Sequence, residues 1–185
     1  MGQKSAAYDS TGAIVAYYDS EISPAPQGVN AIKITDAQWQ TCVNNPGYTV
    51  VDGELVAPAA PTAAQLLAAA QAIQSATIDA AYAAAIQQSV SFKTAGGVTE
   101  TFQADAGSQT VLMQATQGYQ IAGATPTGFY WKAADNTPVP FTLTDLQGLY
   151  QAILAQGWAA FQKRTNLKAE IAAATSVAAV QAINW

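Results

Sequence analysis

The sequence predicts an α+β fold: a small N-terminal β-rich module followed by long Ala-rich helices with short β-hairpins. Three observations carry that expectation. Residues 1–57 hold short runs of β-branched and aromatic residues cut by turn residues. Ala57-Pro-Ala-Ala-Pro61 then interrupts the chain, and its prolines favour an extended spacer. Beyond it the composition turns to alanine and glutamine, with apolar residues at helical spacing behind capping residues. The expected organisation is an N-terminal β-rich module over 1–57, a Pro/Ala linker over 58–61 and a helix-rich domain over 62–185.

Within the first module, Ala13-Ile-Val-Ala-Tyr-Tyr18 follows the turn residues Asp9-Ser-Thr-Gly12, which places a hairpin around 5–18. Ser23–Gly28 reads as a loop, because Pro24 and Pro26 bring no donors to a ladder. Val29–Ile34 is a short strand. Thr35 opens a helix with Gln38 completing a capping box, and Pro46-Gly47 forces its end near Asn44-Asn45. Tyr48–Val51 and Glu54–Val56 flank Asp52-Gly53, the pair that a type I′ hairpin turn favours.

Thr62 with Gln65 caps a helix expected to reach about Gln88, roughly 40 Å long. Two ridges compete for its buried face: Leu66, Ala69, Ile73, Ala76, Ala80 and Ala83, or Ile78, Tyr82 and Ile86. Alanine buries little area, so such a helix needs a partner along its length. An antiparallel helix pair, a small oligomeric bundle and a monomer core all satisfy that need. A hairpin follows over Ser89–Gln103 about Gly96-Gly97, then a helix from about Ser108 to Gln120, closed by Gly123 and Pro126. Phe129-Tyr130-Trp131 reads as a strand, Asp135-Asn136 as a turn, and Val139–Leu143 as a returning strand that Pro138 and Pro140 confine to an edge. Thr144 with Gln147 suggests a third capping box. The last long helix then runs from about Asp145 to Ala174, with Leu146, Leu149, Tyr150, Ile153, Phe161, Leu167 and Ile171 at helical spacing. A short helix over Val177–Ile183 ends the chain.

Composition narrows the function. Alanine supplies 41 residues and glutamine 19, while charged residues make up 10%, well below the usual quarter. Neutral amides stand where salt bridges would otherwise sit. The chain has no His, which removes the usual general base, the imidazole-dependent triads and His-containing metal sites. The single Cys42 excludes an internal disulfide and a cysteine metal cluster. No catalytic, cofactor-binding or metal-ligating residue is expected. A net charge of -5, with its densest basic cluster at Lys163, Arg164 and Lys168, argues against nucleic acid. No long apolar run suggests membrane insertion, and the first residues lack the apolar core of a signal peptide, so a soluble cytosolic product is expected.

The close acid pairs Asp19/Glu21 and Asp52/Glu54 could share acid and base work in a glycosidase. Turn chemistry and exposed edges explain them better. Cys42 has no neighbouring base and reads as a small buried apolar residue. The aromatics offer more. Tyr17-Tyr18 and Phe129-Tyr130-Trp131 put consecutive rings on opposite strand faces, so one face can pack while the other is either covered or exposed, and an exposed one suits a protein or sugar partner. These five are the candidate partner-binding residues.

Particular segments carry a resemblance. Gly128–Leu149, Lys168-Ala-Glu-Ile-Ala-Ala-Ala, Gln181-Ala-Ile-Asn-Trp185 and Phe102-Gln-Ala-Asp105 together resemble a domain of unknown function from tailed bacteriophages and prophages, in proteins commonly linked to the tail fibre. Tyr17-Tyr-Asp19, the Pro-rich turn at Ser23–Gly28, Ile34-Thr-Asp-Ala-Gln-Trp39, Asn45-Pro-Gly47 and Val51–Pro58 are similar to the N-terminal part of phage tail-fibre assembly proteins. After residue 57 the chain departs from that pattern. The resemblance implies a non-enzymatic accessory, without cofactor, that binds a phage tail-fibre protein and supports its assembly. The alternative it implies is a tail-fibre or tail-tip subunit of the virion with a host-receptor (glycan or envelope) binding role. A homo-oligomer, in particular a trimer, would match a fibre axis. The implied location is the host cytoplasm during assembly, or the virion tail.

Overall fold

The computed structural model describes residues 2–185 and has an α+β fold, in two compact units, one ending at Pro61 and one beginning at Thr62. In the first unit, β1 (Lys4–Tyr8) lies between β2 (Ile14–Asp19) and β3 (Ala31–Ile34) in an antiparallel sheet. Successive side chains point to opposite faces, yet Ala6 and Ala7 are both fully buried, so both faces of the central strand are covered. Helix α1 (Asp36–Asn44) packs on β1 and buries Cys42. Its capping box forms as expected, with Thr35 Oγ1 accepting from the Gln38 amide and Gln38 Oε1 accepting from the Thr35 amide.

Strands β4 (Thr49–Val51) and β5 (Glu54–Val56) form a hairpin through Asp52-Gly53, with φ of 52° and 81°. Positive φ at both positions is what a type I′ turn demands. The hairpin is tied to the β1–β2 turn by the Val50 amide, which donates to the Gly12 carbonyl at 2.7 Å. Gly12 is required there twice over: its φ is +83°, and a Cβ would lie 2.3 Å from the Val50 carbonyl oxygen.

The second unit comprises α2 (Ala63–Ala85), the hairpin β6 (Val90–Lys93) and β7 (Thr99–Phe102), α3 (Ala106–Ala122), the hairpin β8 (Tyr130–Lys132) and β9 (Pro138–Pro140), α4 (Leu143–Ala173) and α5 (Val177–Gln181). With 31 residues, α4 is about 46 Å long and holds a separate core at each end. Its N-terminal half supplies Leu146, Leu149 and Ile153 to a core with Val90, Phe102, Leu112, Val139 and Phe141. Phe92, Phe102 and Phe141 meet there at centroid distances of 5.2 to 6.4 Å. Gly148 lets Phe92 lie on the helix, since a Cβ would come within 2.8 Å of that ring. The C-terminal half supplies Ile171 to a second core with Ile78 and Val180.

Helices α2 and α4 run antiparallel, and glutamines join their ends. Gln71 Nε2 donates to the Ile171 and Ala174 carbonyls, while Gln74 Nε2 donates to Ile183. Gln156 Nε2 donates to Ala85 and Gln88, and Gln109 Nε2 to Ile86 and Ala104. The last carbonyls of a helix lack partners within it and carry the negative end of its dipole. Among the described residues no helix places a basic side chain in its last turn. Amides from neighbouring helices supply those donors here, which gives the glutamine-rich composition a structural role. Between the two cores, Asp79 of α2 accepts from Arg164 at 2.6 Å and Lys168 at 2.8 Å.

Of the two apolar ridges on α2, the buried one is Ile78, Tyr82 and Ile86. The competing ridge from Leu66 to Ala83 faces solvent, with Leu66 and Ile73 both exposed. Helix α2 ends at Ala85, three residues early. Helix α3 begins at Ala106, because Asp105 caps it by accepting from the Gly107 and Ser108 amides. The cap of α4 is Thr142 with Asp145, two residues before the expected Thr144 with Gln147. Strand β9 accordingly stops at Pro140, and Phe129 precedes β8.

Candidate functional site

The acids are engaged in the fold. Asp19 is buried, pairs with Lys4 and accepts from the Glu21 and Ile22 amides. The hydrogen bond from Lys4, then those from the amides, hold its carboxyl below the usual value. Asp79 is lowered by Lys168 and Arg164, Asp105 by Ser108 and Asp135 by Thr137. Burial opposes the charge of Asp145, but hydrogen bonds from Thr142 and the Ala95 amide outweigh it and leave that group lowered as well. Asp52 occupies its turn with positive φ, and Glu54 is exposed on β5. A general acid needs a raised pKa near the working pH, and none of these shifts runs in that direction. Among the described residues no cluster of three His, Cys, Asp or Glu could hold a metal ion.

In the first unit Tyr17 and Tyr18 are both half-buried on β2. Tyr17 borders a cavity of about 550 Å³ with Cys42, Val43, Pro46 and Tyr48. Burial, then its contact with Cys42, raises the Tyr17 phenol above its ordinary value.

Phe129, Tyr130 and Trp131 lie beside a groove between α3 and β8. Phe129 and Trp131 point inward and pack against the larger core, with Phe129 edge-on to Tyr119 at 5.1 Å. Tyr130 points outward and is 53% exposed. The groove has two contiguous parts that share Val111 and Trp131. One part, about 550 Å³, is bordered by Gln103, Asp105, Ser108 and Lys132. The other, about 630 Å³, is bordered by Ala115, Gly118, Tyr119 and Phe129. The first passes three consecutive residues of β8, so it follows the edge of that strand rather than a face.

The ladder explains what that edge offers. The Phe141 amide donates to Phe129 and the Ala133 amide to Thr137. Bonded pairs alternate in an antiparallel ribbon, so Trp131 and Val139 form the bonded pair between them. The main-chain groups of Tyr130 and Lys132 therefore point away from β9, and among the described residues no backbone group outside the strand ladders bonds to them. On the outer edge of β9 the corresponding positions are Pro138 and Pro140, which have no N–H.

A second groove, of about 520 Å³, lies between α2 and α4 and is bordered by Tyr82, Ile86, Ile153, Leu154, Trp158 and Phe161. Trp158 and Phe161 stack at 5.6 Å with planes 19° apart. They are 60% and 43% exposed, beside Leu154 at 54%. Gln109, Gln162, Thr165 and Asn166 surround them with neutral polar groups.

The model of a known family, described as a domain of unknown function (DUF4376), matches residues 69–184. The chain belongs to the DUF4376 family. No curated protein and no solved structure matches it. The DUF4376 region takes in α2 from its second turn through α5, and with it both grooves of the second unit. Three of the five aromatic residues singled out by sequence, Phe129, Tyr130 and Trp131, lie within the DUF4376 region and come together along one groove. Trp158 and Leu154 are not among those five, and Phe161 stands in the sequence only as one of the apolar residues at helical spacing on the last long helix. The available signal was a Trp three residues before a Phe on a helix whose apolar positions outnumber one face.

Proposed function

We propose that this protein is a non-enzymatic accessory of a bacteriophage tail fibre that binds the fibre protein and supports its assembly. The observation that carries the binding role is the stacked, exposed Trp158–Phe161 pair with Leu154, beside Gln109, Gln162, Thr165 and Asn166. Large exposed rings rimmed by neutral polar groups, with the Arg164 guanidinium over the Tyr82 ring at 5.3 Å as a charged neighbour, match the composition of a protein–protein contact centre. The structural employment of the aspartates supports contact over turnover. The fibre as partner rests on the resemblance of Gly128–Leu149 and of the first 57 residues to tail-fibre-associated proteins. The same reading has the chain acting as a trimer along the fibre axis.

The test is co-purification of the full chain with the trimeric fibre, beside a Trp158→Ser/Phe161→Ser variant. Co-elution of the parent chain, lost in a variant with unchanged circular dichroism, is the expected result. Mass spectrometry of intact virions separates the roles: a fixed copy number marks a permanent subunit, and absence marks a chaperone. A chain that neither co-elutes nor enters virions overturns the proposal. Sedimentation equilibrium showing a monomer throughout the micromolar range removes the trimer.

A further inference from the structure

We infer that the groove between α3 and β8 binds an extended peptide segment, which adds a strand to the open edge of β8. This stands apart from the fibre reading, because it uses a different groove and commits to no particular protein. Four features converge on it. The main-chain N–H and C=O groups of Tyr130 and Lys132 face away from β9, and among the described residues no backbone group outside the strand ladders bonds to them; an unpaired edge is a template for another extended chain. The opposite edge of the same ribbon is closed by Pro138 and Pro140. On the edge away from β9 the Ala134 amide is taken by the Thr101 carbonyl of β7 at 2.7 Å, so the ribbon is closed along β9 and receptive at Tyr130 and Lys132.

The walls fit the occupant. Val111, Ala115, Tyr119, Phe129 and Trp131 give an apolar floor for one set of alternate side chains. At the other end Gln103 and Lys132 border the groove and bring an amide and an ammonium as donors for peptide carbonyls. The Asp105 carboxylate beside them already accepts from the Gly107 and Ser108 amides and the Ser108 hydroxyl. Finally, Gly118 sits in the middle of α3 on the groove wall, and a Cβ there would meet nothing within 4 Å. Neither backbone conformation nor internal packing calls for glycine at that position. Its effect is to keep the wall low where a second backbone would pass.

The experiment selects binders from a random heptapeptide library on the full-length protein. Enriched peptides are expected to bind and to slow hydrogen exchange at the Tyr130 and Lys132 amides by about tenfold or more. N-methylation at alternate peptide amides should abolish binding in one register and spare it in the other, as a strand ladder requires. Gly118→Leu should weaken binding at least about tenfold while the melting temperature stays at or above the parent's, since leucine favours a helix over glycine. Gly118→Ala, which adds one methyl group, should fold at least as stably and bind between the two. The inference is overturned if no peptide is enriched, or if enriched peptides leave those two amides exchanging freely. It is equally overturned if Gly118→Leu binds as well as the parent. Concentration-dependent protection of the same amides without peptide would make a second copy of the chain the occupant and also overturn it.

Discussion

Gln156 reaches from α4 to the carbonyls of Ala85 and Gln88, where α2 has run out of internal donors. Replacing it by glutamate would keep the shape and set a carboxylate against those oxygens at the negative end of a helix dipole. Gln156→Glu should cost about 1–3 kcal/mol, read as a lower urea midpoint with an unchanged slope. The deficit should shrink in acid, because the new carboxyl regains a donor once protonated. Asp145 behaves in the opposite sense. It is 3% exposed and fastens the N-terminus of α4 to the β6–β7 turn through Ala95. Its folded pKa lies below the unfolded one, so its contribution is complete above the unfolded value and lost as the pH falls through the folded value. Asp145→Asn should lower stability near neutrality by about 1–3 kcal/mol and leave a shallower acid limb in a melting-temperature profile. Gly148→Leu should destabilise by a similar amount, about 1–3 kcal/mol, by driving side-chain atoms into the Phe92 ring.

At the level of elements, what the sequence disclosed depended on how local the deciding contact was. The boxes at Thr35/Gln38 and Thr62/Gln65 were legible, because a cap and its third residue make their bonds with each other. The start of α4 was not. Thr142/Asp145 and Thr144/Gln147 share one spacing, and the first pair prevails because Asp145 also bonds Ala95, 50 positions earlier. The face of α2 was ambiguous for a related reason. Alanine occupies both ridges, and the choice fell to Ile78 because Ile171 and Val180 cover it. The aromatic groove was half legible: alternation placed Phe129 and Trp131 opposite Tyr130, but nothing local announced α3 as the facing wall. The exposed Trp158 and Phe161 stayed hidden because α4 has a core at each end and only Ala160 buried near its middle. Periodicity alone cannot say where along a long helix the cover stops.

The whole molecule titrates as its inventory dictates. It has no imidazole, and the aspartates with resolved shifts are all lowered. The melting temperature should therefore be level from about pH 6 to 9 and fall steeply below about pH 4. A marked step near pH 6.5 would contradict this account. The amides at the helix ends have a consequence of another kind. Mobile ions screen a bond between net charges, but they hold little purchase on a neutral amide resting against a carbonyl. Between dilute buffer and about 1 M potassium chloride the melting temperature should shift by less than about 3 °C. These amide ties hold alike in fresh water, cytosol and brine, and leave salt to act on the ion pairs of Asp79 and Lys4.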